Sequence, residues 1–220
     1  MNNGERNELI LKLKLVSLIG KKTALFGTIR TVGFDGIEYF PLQRDADVNV
    51  LRSCTDAALE RVASHSNIQK SPTFSKSDVY INSRGYSVKS FAAAPPALVN
   101  HTTRPGFEFA CRNAEADITD LDKLINEYWA LRENKRIGED IRNSDPLSPF
   151  SKARAILSPV LIYFLFTGTG SRLSNHPAEF ILDYSDPLDE TTWKSFDHET
   201  AIEHIWDHLI FSVRSKKGMP

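Results

Sequence analysis

Ser77-Asp78-Val79-Tyr80-Ile81-Asn82-Ser83-Arg84-Gly85-Tyr86-Ser87-Val88-Lys89 reads as two short strands joined by a tight turn. Asn82-Ser83-Arg84-Gly85 carries the turn chemistry, with Gly85 able to take positive φ at no steric cost. Successive side chains of a strand point to opposite faces. Val79 and Ile81 therefore share the apolar face of the first strand, and Tyr86 and Val88 that of the second. Asp78 falls on the opposite face, with Ser87 and Lys89 opposite on the second strand. A carboxylate and a lysine so placed are either a cross-strand ion pair, contributing roughly 0.2–1 kcal/mol, or a reactive pair at the rim of a sheet.

The chain around this hairpin has 220 residues, long enough to bury a sizeable core, and reads as one domain. Its 41% hydrophobic and 25% charged residues are ordinary for a globular protein. Cys54 and Cys111 suit a reducing compartment and small core positions better than a disulfide framework. No basic-then-apolar leader opens the chain, and the most apolar run, Ala155 to Phe166, is too short to span a bilayer. The expected location is cytoplasmic, with no membrane partner. A net charge of −1 hides an asymmetry: residues 1–112 hold 15 Lys and Arg against 10 Asp and Glu, and the rest hold 12 against 18. The half with the hairpin is the basic one, as a phosphate-facing surface requires.

Before the hairpin, Asn3 to Gly20 reads as an amphipathic helix capped by Asn3 and stopped by Gly20. Glu5 and Glu8 stand one turn apart on one face and, from the helix alone, read as surface acids complementing the helix dipole. Strands are expected over Leu25–Ile29 and Ile37–Phe40, and another over Asn49–Leu51. Thr55 to His65 reads as a helix capped by Thr55, and Ser66 to Lys76 as a polar loop whose Lys70 and Lys76 are solvated or touch phosphates.

After the hairpin, Ser90 to Gly106 is a polar loop directly downstream of Lys89. Asn100 and Arg104 have the side chains that read base edges bidentately, and Ser90 and Thr102 suit phosphates, with His101 between them. All five are also plain loop residues. A strand is expected over Phe107–Cys111. Beyond residue 113 the pattern turns helical, with Thr119 capping Asp120–Leu131, a buried helix or strand over Ala155–Phe166, and a last helix over Glu199–Val213. Thr167 to Arg172 contains Gly-x-Gly without the spacing of a phosphate loop and reads as a turn. His204 and His208 stand at i, i+4, but Ile205 occupies the place where a zinc-protease helix needs glutamate.

Asp78, followed by Ser87-x-Lys89 on the next strand, resembles the catalytic core of the restriction-endonuclease-like nucleases. Asn3-Gly4-Glu5-Arg6-Asn7-Glu8-Leu9 with Leu13-Lys14-Leu15 is similar to the opening of the HpaII-type type II restriction endonucleases. Gly85-Tyr86-Ser87-Val88-Lys89-Ser90-Phe91, then Pro96-Ala97-Leu98-Val99-Asn100 and Phe107-Glu108-Phe109, resemble a later run of the same family in order and rough spacing. Ser87 stands where the superfamily usually has an acid, and Arg6 where this family has an aromatic residue.

The resemblance implies an α/β fold of the α+β kind, a mixed central sheet flanked by helices, with a catalytic core over 1–112 and a helical continuation over 113–220. It implies Mg²⁺ held by Asp78, by Glu8 or Glu5 from the first helix in place of the acid missing at Ser87, and by the Val88 carbonyl. Lys89 would orient the attacking water. The implied activity is hydrolysis of double-stranded DNA at a short specific sequence, by a homodimer whose companion methyltransferase protects host DNA. A structure-selective or repair nuclease of the same fold, and a DNA-binding relative without hydrolysis, are the competing readings.

Overall fold

The first helix is fixed at its N-terminus by reciprocal hydrogen bonds. In the computed structural model, which describes residues 1–43, 47–90, 96–98 and 102–211, α1 spans Asn3–Ser17. The Asn2 side chain accepts from the Glu5 N–H at 2.9 Å, and the Glu5 carboxylate accepts from the Asn2 N–H at 3.2 Å. This capping box satisfies two donors that a helix start leaves open, so the cap is Asn2, one residue before the one expected. Gly20, at φ 82°, turns the chain into a small antiparallel hairpin of β1 (Lys22–Thr23) and β2 (Gly27–Thr28).

β3 (Val32–Phe34) and β4 (Ile37–Glu38) form a second hairpin. Asp35 and Gly36 between them both have positive φ, at 52° and 77°, which a two-residue turn matched to strand twist requires. The strands expected over 25–29 and 37–40 are thus present in shortened form. The strand expected at Asn49–Leu51 is instead a 3₁₀ turn over Val48–Arg52, because the Asp47 carboxylate accepts from the Asn49 N–H and starts a helical turn. α2 (Asp56–His65) begins at Thr55 as expected, its hydroxyl accepting from the Ala58 N–H.

β5 (Val79–Ile81) and β6 (Arg84–Lys89) are the hairpin of the opening stretch, with Val79 opposite Tyr86 and Tyr80 opposite Gly85. The turn is tighter than expected. Asn82 and Ser83 take the positive φ values, 50° and 67°, and Gly85 lies within β6. Gly85 is needed there for room: a Cβ would come 2.3 Å from the Ser77 hydroxyl and 3.1 Å from the Pro177 carbonyl.

Three helices follow: α3 (Arg104–Asn113), α4 (Ile118–Glu133) and α5 (Arg154–Ile162), the last continued by a π-helical turn over Tyr163–Thr167. The strand expected over Phe107–Cys111 is therefore helical. Pro105 opens α3, and Phe107, Ala110 and Cys111 recur at helical spacing on its buried side. Asp117, not Thr119, caps α4, its carboxylate accepting from the Thr119 N–H at 2.8 Å. The chain then returns as β7 (Phe180–Asp183) and β8 (Lys194–Phe196), and α6 (His198–Trp206) ends earlier than the expected last helix.

The sheet runs β4-β3-β5-β6-β7-β8, antiparallel at every junction except β6–β7. The part of the chain read as helical thus supplies two of its six strands. It is a mixed sheet flanked by helices. α1 and α2 pack with β3, β5, β6, Leu182 and Tyr184 in one apolar cluster, and α3 to α6 share a second. Phe166, Ala178, Ile181 and Ala201 join the π-helical turn to β7 and α6. Among the described residues no helix is long and apolar enough to cross a membrane, and neither cysteine is in a disulfide.

Candidate active site

Asp78 directly precedes β5 and is held from several directions. Its N–H donates to the Tyr86 carbonyl at 2.8 Å, continuing the ladder. Its Oδ2 accepts from the Val88 N–H at 2.7 Å and from the Ser87 hydroxyl at 3.4 Å. Lys89 Nζ stands 3.8 Å from the same oxygen and donates to the Val88 carbonyl at 3.2 Å. The hairpin therefore gathers a carboxylate, a backbone carbonyl and an ammonium at one strand end. The Asp78 side chain is 18% exposed and that of Lys89 is 40%, so the pair is shielded yet reachable from solvent. Ser87 is buried, its hydroxyl engaged by Asp78.

Glu5 and Glu8 line one cleft of about 590 Å³ along α1, together with Lys12, Gln69 and Lys70. Their situations differ. Glu5 is committed to an exposed ion pair with Lys70 at 2.7 Å and to the capping box, and Lys70 first and the Asn2 N–H second hold its carboxyl below the usual range. Lys70 is likewise engaged at the surface. Glu8 instead pairs at 2.7 Å with Lys12, which is 1% exposed. Lys12 also donates to the Ser71 hydroxyl at 3.0 Å, and that hydroxyl donates to the Asp78 carbonyl at 2.9 Å. Glu8 and Asp78 are thus linked through a buried cation.

Two tyrosines register the same gathering of charge. Burial, then the fields of Glu8, Asp183 and Asp78, push the Tyr184 phenol up to about 12. Burial and Glu8 push Tyr39 up to about 12 against a polar contact with the Gln69 backbone; the Tyr39 hydroxyl makes no hydrogen bond among the described residues. Lys89 pairs across β6–β7 with Asp183, whose Oδ2 lies 3.1 Å from His204 Nε2. His204 therefore turns to Asp183 and away from the pairing with His208, which lies beyond the end of α6.

Lys76, two residues before Asp78, donates to the Phe164 carbonyl at 2.6 Å. Its backbone N–H groups with those of Ser77 are tied to the 174–176 segment through the His176 carbonyl and the Ser174 hydroxyl. Burial, reinforced by Lys89 and opposed by Asp78, lowers its ammonium to about 8. An unfolded lysine keeps its proton to about 10.5, so between those values the unfolded chain binds more protons and stability rises with pH. From pH 7 to 9.5 the native chain should gain about 2 kcal/mol from this group. Lys76→Met should lack that rise, as urea unfolding at both pH values will show. Above pH 10 Tyr39 and Tyr184 act in the opposite direction, their raised values making stability fall as pH passes toward about 12.

Of the residues proposed for DNA contact, Asn100 and His101 lie outside the described residues. Ser90 follows β6 and is half-buried. The Thr102 hydroxyl fills the space left by Gly106 and Gly170, 1.7 and 2.0 Å from where their Cβ atoms would lie. Arg104 is ion-paired with Glu108 and, at 2.8 Å, with Asp122. Thr102 and Arg104 thus have structural partners within the helical part.

Among the described residues no group of three or more His, Cys, Asp or Glu side chains is arranged to hold a metal ion. Mg²⁺ does not need one: it keeps several waters and binds through one or two carboxylates plus substrate phosphates. Asp78 and the Val88 carbonyl present oxygens of that kind beside Lys89, and Glu8 on α1 connects to the Asp78 backbone carbonyl through Lys12 and Ser71. Lys12, Lys76, Asp183, His204 and Tyr184 complete the surroundings. Lys12 had one local signal, a lysine inside Leu11-Lys12-Leu13 four residues after Glu8; Asp183 and Tyr184 had none, because only the crossover to β7 brings them beside Lys89. Compared with family models, curated proteins and solved structures, the chain finds no match.

Proposed function

We propose that this chain is a Mg²⁺-dependent type II restriction endonuclease of the HpaII type, hydrolysing phosphodiester bonds of double-stranded DNA at a short specific sequence. The observation that carries the reading is the meeting of Asp78, the Val88 carbonyl and Lys89 at one end of adjacent central strands, with 3.8 Å between acid and ammonium. The restriction-endonuclease-like core belongs to the same proposal. A mixed sheet flanked by helices, with the acid and the lysine on its central hairpin, is what the resemblance implies.

Phosphodiester hydrolysis requires an activated water and neutralisation of charge on the phosphoryl oxygens. Mg²⁺, held by Asp78 and the Val88 carbonyl with Glu8 as the helix-borne carboxylate, would supply both when bound. Glu8 suits that role better than Glu5, which is spent on the helix cap and on Lys70. Ser87 is a support rather than a ligand, its hydroxyl steadying Asp78. Lys89 would orient the attacking water and offset phosphate charge with its ammonium. Its ion pair with Asp78 and its hydrogen bond to the Val88 carbonyl set its direction before substrate arrives. Cleavage as a dimer at a palindrome, with a companion methyltransferase protecting host DNA, completes the proposal.

Digestion of a fully sequenced plasmid with Mg²⁺, followed by mapping of the ends, tests it. Discrete fragments with common end sequences are expected, and no cutting when EDTA removes the metal. A smear, or cleavage only at branched DNA, would assign the structure-selective alternative. Duplex binding with no cutting under any divalent ion would assign the inactive DNA-binding one.

A further inference from the structure

The most deeply buried charged side chain among the described residues connects the Glu8 carboxylate to the backbone of Asp78. Lys12 is 1% exposed and heads the set of large, fully buried side chains. It sits on α1 among Leu11, Leu13 and Leu15, all of them solvent-inaccessible. Removing an ammonium from water is costly unless partners replace the water. Lys12 has them: Glu8 Oε1 at 2.7 Å and the Ser71 hydroxyl at 3.0 Å. Stability alone does not account for the arrangement, because a well-packed apolar residue often serves a core as well as a buried ion pair does.

The partners show what the cation connects. Glu8 is the helix-borne carboxylate, and Ser71 passes the connection on to the Asp78 carbonyl at 2.9 Å. The far end of Asp78 is fixed by the Val88 N–H at 2.7 Å. Without this link, Glu8 and Asp78 would be related only through the packing of α1 on the sheet. With it, one charged group and one hydroxyl set the position of the Glu8 carboxylate relative to the strand end that carries Asp78.

We infer that Lys12 is the positioning residue of this site, holding Glu8 and Asp78 in a fixed relation so that one divalent ion can engage both. The inference rests on the nuclease reading. Groups that hydrogen-bond to metal ligands orient them, and their loss typically costs about 10–100-fold in metal affinity or activity. Ser71 is the second member of the link, in the polar loop before the hairpin. Lys12 acts through Glu8 and Asp78 and does not itself touch substrate.

The test is Mn²⁺ binding to the whole protein without DNA, followed by loss of the free-ion signal in electron paramagnetic resonance. Lys12→Met keeps length and volume while removing the charge. It is expected to weaken Mn²⁺ binding about 10–100-fold while leaving the melting temperature unchanged or raised. Ser71→Ala, at a partly exposed position, is expected to weaken binding in the same direction, and it keeps the test decisive if Lys12→Met fails to fold. In a Glu8→Gln background, adding Lys12→Met should cost little more. Native-like Mn²⁺ binding by Lys12→Met or by Ser71→Ala would overturn the positioning role and leave the nuclease reading standing. A native chain that neither binds Mn²⁺ nor cuts DNA would overturn the nuclease reading and the positioning role together.

Discussion

Lys89→Ala is expected to lower DNA cleavage by about 10³-fold while leaving duplex binding within a few-fold of the native chain. The magnitude is that of losing one preorganised charge or proton-handling group at a reacting centre. The direction follows from geometry. Lys89 stands 3.8 Å from Asp78 and 3.2 Å from the Val88 carbonyl, on the side of the hairpin away from the apolar cluster built by Val79, Ile81, Tyr86 and Val88. At 40% exposure its side chain contributes little to the core, and an exposed ion pair is worth roughly 0–1 kcal/mol. The variant should therefore fold normally, so any loss of cutting is a loss of chemistry. Binding, measured by anisotropy with a fluorescent duplex in Ca²⁺, separates the two effects. Undiminished cutting by Lys89→Ala would reject the assignment of this residue and, with it, the central hairpin as the catalytic element. Lys89→Arg is a useful companion: it keeps the charge but presents a planar fork in place of a compact ammonium, and partial activity is expected.

The second large effect is on stability. Phe166→Ala is expected to cost about 3–5 kcal/mol, the range for truncating a fully buried aromatic side chain. Phe166 has no solvent exposure and lies on the π-helical turn, packed with Ala178, Ile181 and Ala201 and with its ring 4.2 Å from that of His198. Two of its cluster neighbours, Ala178 and Ala201, have side chains too short to fill the space. In a chain of this length the loss corresponds to roughly 10 °C in melting temperature, readable by calorimetry or by urea unfolding. Leu147→Ala, at a side chain 54% exposed, is the control and should change stability by no more than about 0.5 kcal/mol. The same turn presents the Phe164 carbonyl to Lys76, so loosening it also disturbs a lysine beside the candidate site. A loss below 1 kcal/mol would show that this junction does not hold the α6 side of the sheet.

The hairpin was legible because its information is local. Alternation from Val79 to Val88 set the faces, and turn residues at 82–85 set the crossing point. The tighter two-residue turn at Asn82-Ser83 was not legible, since Gly85 is the obvious candidate for positive φ. Its glycine is demanded instead by Ser77 and Pro177, which lie far off or across a strand and cannot be read from the turn itself. Thr55 was readable as a cap because its hydroxyl bonds within one turn. Phe107–Cys111 is not legible as a helix because five residues cannot distinguish a buried strand from one face of a helix.

By itself, then, the sequence determined the hairpin, the first two helices, the shared face of Glu5 and Glu8, and the pairing of Asp78 with Lys89. Each of these rests on contacts a few residues apart, where backbone periodicity dictates which side chains meet. Only the tertiary structure decided that β7 and β8 complete the sheet, that Asp183 and Tyr184 stand beside Lys89, and that Lys12 bridges Glu8 to Asp78 through Ser71. The physical reason is that the deciding contacts, Lys12 with Ser71 and Lys89 beside Asp183, join residues 59 and 94 positions apart. Their partners are chosen by how a helix and a parallel crossover pack against the sheet, and no local pattern in the chain encodes that choice.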